Sequence, residues 1–368
     1  MKYREVKNTF AFLCWITIAA ALVPAYGQPS VPLTSPQGEL ISRQAIGIDT
    51  ATGKLYVVDT DHAVVSVIDG KTRSVSTVNV GKDPVAIAVN PVTDRIYVAN
   101  HGSGTVSVLD GRSNAVLATI NVGSLPYVVA ANPATNMIYV SNVYSDALTI
   151  IDGATNATTT VKAGSADAVA IDPEMNSLYL LHYENANLTR LDTRDKSISS
   201  IPIGTMHLWG MALNAPAKTL YITRIGNADV VAIDENSQAM AVIPAGQLPC
   251  AVAANPITNT AYVVNYGEDS VTVIDGRKHS AVATVHVGRR PQAIAVDDKS
   301  NRVYVANTLG KSITVIDGGS NVVIDTLKTE GNPYALAIDS GTGRLYAATF
   351  GEPSFAVFNL SGQQKPAL

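Results

Sequence analysis

One short pattern is written eight times along this chain, and its period limits the folds open to it. Tyrosines recur at 56, 97, 139, 179, 221, 262, 304 and 346, at spacings of 40 to 42 residues. Seven residues before each stands Asn or Asp (49, 90, 132, 172, 214, 255, 297, 339). Thirteen after each stands Asp, with Asn359 in the last unit. Neither interval varies, so all length variation falls between one unit's second mark and the next unit's first. In the second unit the residues read as four strands, Val85–Val89, Ile96–Ala99, Thr105–Leu109 and Ala115–Val122. They are separated by Asn-Pro-x-Thr and Asp-Gly turn chemistry. Strand composition excludes a helical solenoid, and a β-helix normally has a shorter repeat. Four strands per period of about 40 residues predict the blades of a single all-β propeller.

The first strand of each unit keeps one face small, as in Ala86/Ala88, Ala251/Ala253, Ala293/Ala295 and Ala335/Ala337. Such residues suit innermost strands that crowd around an axis. Eight first, second and third strands are readable but only seven fourth strands. A closed ring can complete its last blade from the other terminus, which favours eight blades, with seven as the alternative. The expected organisation is a signal peptide over 1–27, a Pro-rich segment over 28–39 as the possible ring-closing strand, the propeller over 40–360 and a tail over 361–368.

The first 27 residues carry Lys2, Arg4 and Lys7, an apolar run from Phe10 to Val23, and Ala25 and Gly27 at the −3 and −1 positions before Gln28. That is the pattern of a cleaved export signal, too short in its apolar run for a spanning helix. The expected location is periplasmic, cell-surface or extracellular, with no membrane span after signal removal. Hydrophobic residues make up 46% of the chain and charged ones 15%, which excludes a disordered chain. Lys and Arg number 26 against 30 Asp and Glu, so no nucleic-acid partner is expected. Beyond the signal only Cys250 remains, so no internal disulfide forms and the core must hold the fold together.

The strand sequences Tyr97-Val98-Ala99-Asn100, Tyr139-Val140-Ser141-Asn142, Tyr262-Val263-Val264-Asn265 and Tyr304-Val305-Ala306-Asn307 resemble the signature of the YVTN β-propeller repeat proteins. The preceding Gly-x-x-Pro segments at 81–84, 123–126, 246–249 and 288–291 resemble that family too. The resemblance spans roughly residues 40–360 and implies a propeller of envelope or surface contexts, without implying one reaction. The first, fourth, fifth and eighth units depart from the signature after their tyrosines.

No hydrolase elbow or zinc-protease motif is present, and Leu309-Gly310-Lys311-Ser312 lacks the leading glycine of a phosphate loop. The recurrent aspartates lack the ladder and terminal Glu of a calcium loop and read as turn residues. No metal site and no catalytic residue is read from the sequence, and it names no cofactor. Binding positions are instead sought where the repeats disagree. The loops joining second to third strands, and fourth strands to the next first strand, vary from unit to unit and share one face. They present His182, Tyr183, His207, Trp209, Arg224, Tyr266, Arg289 and Arg290 as candidate ligand-binding residues. The first residue of each inner strand (Gln44, Val85, Tyr127, Asp167, Trp209, Cys250, Gln292, Tyr334) is expected near the channel mouth. Trp209 reads equally as a packing wedge, and Cys250 reads as a buried hydrophobe. The expectation is an exported, monomeric, non-catalytic scaffold for an envelope protein, glycan or small ligand. The alternative is a propeller enzyme, a lactonase-like hydrolase or quinone-dependent oxidoreductase.

Overall fold

The computed structural model describes residues 45–360 except 50, 71, 73, 144, 184 and 351–354. Within them the chain forms eight antiparallel sheets, each built from strands consecutive in sequence. Blade 2 is typical, with strands Pro84–Asn90, Arg95–Asn100, Thr105–Asp110 and Val116–Asn121. Seven blades have four strands. Blade 8 has three, Asn332–Asp339, Arg344–Phe350 and Phe355–Asn359. The eight-bladed propeller is therefore the fold, and the strand count read from the repeats holds. The signal segment, the ring-closing segment and the C-terminal tail lie outside the described residues.

Register explains the repeat. Each tyrosine pairs across the sheet with the small residue of the inner strand: Tyr56 with Gly47, Tyr97 with Ala88, Tyr262 with Ala253, Tyr346 with Ala337. The large ring needs that small partner, because both must fit between two close-packed sheets. Crowding by the neighbouring blade adds to the demand: a Cβ on Gly47 would lie 2.6 Å from the Ile87 side chain. All eight repeat tyrosines are buried. The core is a set of eight apolar wedges, one at each blade boundary. The last joins Tyr346 of blade 8 to Leu55, Val57 and Ile68 of blade 1 and closes the ring.

Three polar rings lock the face that carries the first-to-second and third-to-fourth turns. In the first seven blades the carboxylates thirteen residues after the tyrosine accept turn N–H groups, as from Ser113 to Asp110 (2.9 Å) and Ser320 to Asp317 (2.8 Å). These N–H donors hold the Asp110, Asp152, Asp234, Asp275 and Asp317 carboxyls below their ordinary range. The glycine that follows leaves room for a tyrosine hydroxyl from the preceding blade. Tyr56 donates to the Gly111 carbonyl (3.1 Å), and a Cβ on Gly276 would lie 2.7 Å from Tyr221 Oη. The residue three before each tyrosine adopts left-handed backbone, from Gly53 (φ 72°) through Asp94, Asn136, Asn176, Lys218, Asn259 and Asn301 to Gly343 (φ 64°). That is why Asn, Asp and Gly dominate the position. Its side chain meets the previous blade's first mark, with Asn90 Nδ2 donating to Asn136 Oδ1 and Asn214 Nδ2 to Asn259 Oδ1, each at 2.8 Å. The Asp and Asn marks are turn and blade-joining residues.

Candidate functional site at the variable face

The other face is built differently. In blades 2, 6 and 7 the residue three after the tyrosine, the Asn of the signature, is wholly buried and donates to hydroxyls five and seven residues on, and in blade 3 Asn142 donates to the Thr149 hydroxyl seven residues on. Asn100 Nδ2 reaches Thr105 Oγ1 (3.1 Å) and Ser107 Oγ (2.9 Å), and Asn307 reaches Ser312 (3.1 Å) and Thr314 (2.8 Å). His182 and Arg224 occupy this same position in blades 4 and 5 and do the same work. His182 Nε2 lies 2.8 Å from Thr189 Oγ1, seven residues on, and Nδ1 lies 2.9 Å from the Ser165 carbonyl. A carbonyl only accepts, so Nδ1 carries a proton and donates to Ser165, while Nε2 shares a hydrogen bond with the Thr189 hydroxyl. Arg224 donates through Nε and Nη2 to both oxygens of Asp229, five residues on, at 2.6 Å each, and through Nη1 to the Ile203 carbonyl (3.3 Å). Both side chains are nine-tenths buried. Each is turned into its blade.

The remaining candidates do gather. The inner strands of blades 2, 3, 5, 6, 7 and 8 each carry a one-residue bulge at their start. Bulges re-aim side chains. Val85, Tyr127, Cys250, Gln292 and Tyr334 are the extra residues, and in blade 5 the bulge holds Trp209 and Gly210. A Cβ on Gly210 would approach Ala251 Cα at 3.1 Å, so this bulge presses against blade 6. Trp209 is half-buried and packs against the cluster that includes Cys250 and Tyr266. Tyr183 meets Trp209 edge-on at 5.2 Å between centroids and His207 at 5.1 Å. Arg290 stacks over the Tyr266 ring at 4.8 Å, while its N–H donates to Asp269 (2.7 Å). Arg289 is exposed beside it.

Further aromatic pairs complete the pattern, formed by residues that the sequence places on this face, Tyr127 and Tyr334 at the channel mouth among them, but outside the candidate ligand-binding set. His101 meets Tyr127 edge-on at 6.5 Å, and Tyr334 stacks on Phe350 at 4.3 Å. Burial and the Asp59 carboxylate push the Tyr334 phenol well above its usual value. The residue four after the repeat tyrosine is His101, Tyr183, Tyr266 and Phe350 in blades 2, 4, 6 and 8. In the odd blades it is Thr60, Val143, Ile225 and Thr308. This alternation was the available signal, and comparison of the units at that one position would expose it. Gln44 lies outside the described residues. Cys250 is buried, with its Sγ 3.6 Å from the Pro291 carbonyl. Among the described residues no three His, Cys, Asp or Glu side chains converge to hold a metal ion, and no helix is long and apolar enough to cross a membrane.

Fold and rim together define an eight-bladed propeller with one constant face and one variable, aromatic-paired face. A profile of the YNCE-like beta-propeller family matches residues 117–344. The chain belongs to that family, a propeller family of the YVTN type. No curated protein matches the sequence. Among solved structures it is similar to the dihydro-heme d1 dehydrogenase NirN in complex with DHE (TM-score 0.73, 15% identity, covering 96% of this chain and 82% of that one). It is also similar to Kuenenia stuttgartiensis hydrazine synthase (TM-score 0.59, 16% identity, 89% and 100%) and to apo AztD from Citrobacter koseri (TM-score 0.59, 16% identity, 79% and 88%). At these identities the likeness is one of fold.

Proposed function

We propose that this protein is an exported, non-catalytic binding propeller that takes an envelope protein, glycan or small ligand on its variable face. The export half of this reading rests on the basic, then apolar, then small-residue order of residues 1–27. The binding half rests on one observation: among the described residues, aromatic and cation–aromatic pairs recur at alternate blades on the variable rim, while the opposite face carries turn and blade-joining polar groups. Tyr183 and Tyr266 are themselves buried and back the half-buried Trp209 and Arg290, whose outer surfaces bring contact area at low entropic cost. Tyr183, Trp209, Tyr266 and Arg290 form the densest part of that rim, with His207 and Arg289 at its border.

Capture of a ligand or partner by the native protein, repeated with Trp209→Ala and Tyr127→Ala, tests the reading. Loss of capture with retained folding supports it. Capture unaffected by either change, or mapped to the turn face, overturns it. A stoichiometric quinone or metal in protein purified from its own host would replace the non-catalytic reading with the enzyme one. An intact Met1 on the mature protein would remove export.

A further inference from the structure

Blade 4 departs from its neighbours on the variable face, and a cavity opens where it does. In the Gly-x-x-Pro loops the third residue is left-handed, as at Asp83 (φ 50°), Leu125 (φ 56°) and Leu248 (φ 53°). The loop into blade 4 reads Ala163-Gly164-Ser165-Ala166, and its left-handed residue is Gly164 (φ 78°), one position earlier. The loop is thereby rerouted. The Ser165 carbonyl turns onto His182, a Cβ on Gly164 would lie 3.0 Å from His182 Cε1, and the inner strand pairs from Ala168 without a bulge.

Beside this loop lies a cavity of about 440 Å³ lined by Asp146, Lys162, Ser165, His182, Asn185 and Thr189. That lies within the roughly 300–1,000 Å³ of small-ligand sites. His182 and Thr189 spend their polar atoms on each other and on Ser165, so they form wall. Lys162 and Asp146 differ. Both are exposed, both face the cavity, and neither forms an ion pair with the other or with another described residue. Opposite charges that line one cavity without pairing with each other complement a ligand that carries both. Ser165 and Asn185 add a hydroxyl and an amide, and Ile198 adds an apolar patch.

We propose that this cavity binds a small zwitterion, an α-amino acid, with its carboxylate on Lys162 and Asn185, its ammonium on Asp146 and its side chain against Ile198. The site is separate from the aromatic rim and does not depend on the reading above.

Calorimetric titration of the full-length protein with the proteinogenic L-amino acids, and with glucose and N-acetylglucosamine, tests the assignment. At least one amino acid should bind at millimolar or tighter affinity. Its N-acetyl and methyl-ester derivatives should bind at least roughly tenfold more weakly, each having lost one charge-assisted contact. Lys162→Ala and Asp146→Asn should each weaken binding by a similar factor without moving the melting temperature, since both side chains are exposed and Asn suits the left-handed backbone of residue 146. Trp209→Ala should leave it unchanged. No heat with any amino acid, equal binding of the blocked derivatives, binding indifferent to both substitutions, or binding of the sugars instead would each overturn the proposal.

Discussion

The two faces of this propeller use the same residue types for different ends. On the turn face Asn and Tyr side chains of one blade reach the turns of the next at several boundaries, as Asn90 to Asn136, Asn214 to Asn259, Asn255 to Asn301 and Tyr56 to Gly111, and these contacts are mechanical. On the variable face the buried position three after each tyrosine is mechanical, and in blades 1, 2 and 7 the next residue, Thr60, His101 or Thr308, also bonds the first Pro carbonyl of the following blade, but the residue type there differs blade by blade. The lesson lies in His182 and Arg224. Both read as variable, yet geometry assigns them the job of the Asn they replace. A substitution within a repeat is no sign of a binding residue where the new side chain keeps the old hydrogen-bond pattern, as His182 and Arg224 do.

The largest effect expected from breaking this contrast is on the turn-face tyrosines. Tyr221 is fully buried among Val230, Ile243, Ala261 and Val263. Tyr221→Ala should cost about 3–5 kcal/mol by equilibrium denaturation. If binding at the rim of the still-folded fraction also fell, the division of labour between faces would fail.

Arg224→Ala comes next. It strands the Asp229 carboxylate in a site where the two side chains are 11% and 14% exposed, and should cost about 3 kcal/mol. The double change Arg224→Asn with Asp229→Ser rebuilds the arrangement of Asn265 and Ser270 and should recover much of that loss. A double variant as unstable as the single one would show that Arg224 does more than replace Asn.

Blade 8 tests closure. We propose that residues 28–39 supply its fourth strand, and their deletion should lower stability by roughly 2 kcal/mol, a modest share of a marginally stable fold. An unchanged unfolding midpoint would argue for a ring closed by apolar wedges alone.

The smallest effect is a pH dependence where the turn face breaks its own rule. Glu235 stands where most blades have glycine, buried beside Tyr179 and Asp172. Burial pushes its carboxyl up to about 7, Tyr179 opposing and Asp172 reinforcing the shift. Burial alone would raise Asp172 as well, but the Met175 N–H and the Lys218 ammonium (3.1 Å) outweigh it and hold Asp172 low. A folded value for Glu235 above the unfolded one means its contribution is full below about 4.5 and is lost as pH rises through about 7. Glu235→Gln should therefore gain on the parent between pH 5 and 8, by on the order of 1–2 kcal/mol. Parallel stability-versus-pH curves would refute the coupling.

Much of this was legible in the sequence because it repeats. Eight invariant intervals fixed the strands, the turn residues and the count of blades, since each interval encodes a local register or a turn that one blade forms by itself. The small residues of the inner strand were legible as a pattern, but their reason, a tyrosine ring directly opposite, needed the pairing. The alternation of aromatic residues after the second strand also stands in the sequence, in eight widely separated places.

What only the tertiary structure decided is where one blade meets the next. Trp209 touches Tyr183, some 26 residues earlier, because a bulge re-aims its side chain across a blade boundary. Lys162 and Asp146 share a cavity because one glycine moved the left-handed turn by a single residue. A sequence determines the strand and the turn through interactions a few residues long. Which side chains then share a rim depends on bulges and loop paths set by packing between neighbouring sheets, and no local spacing records that.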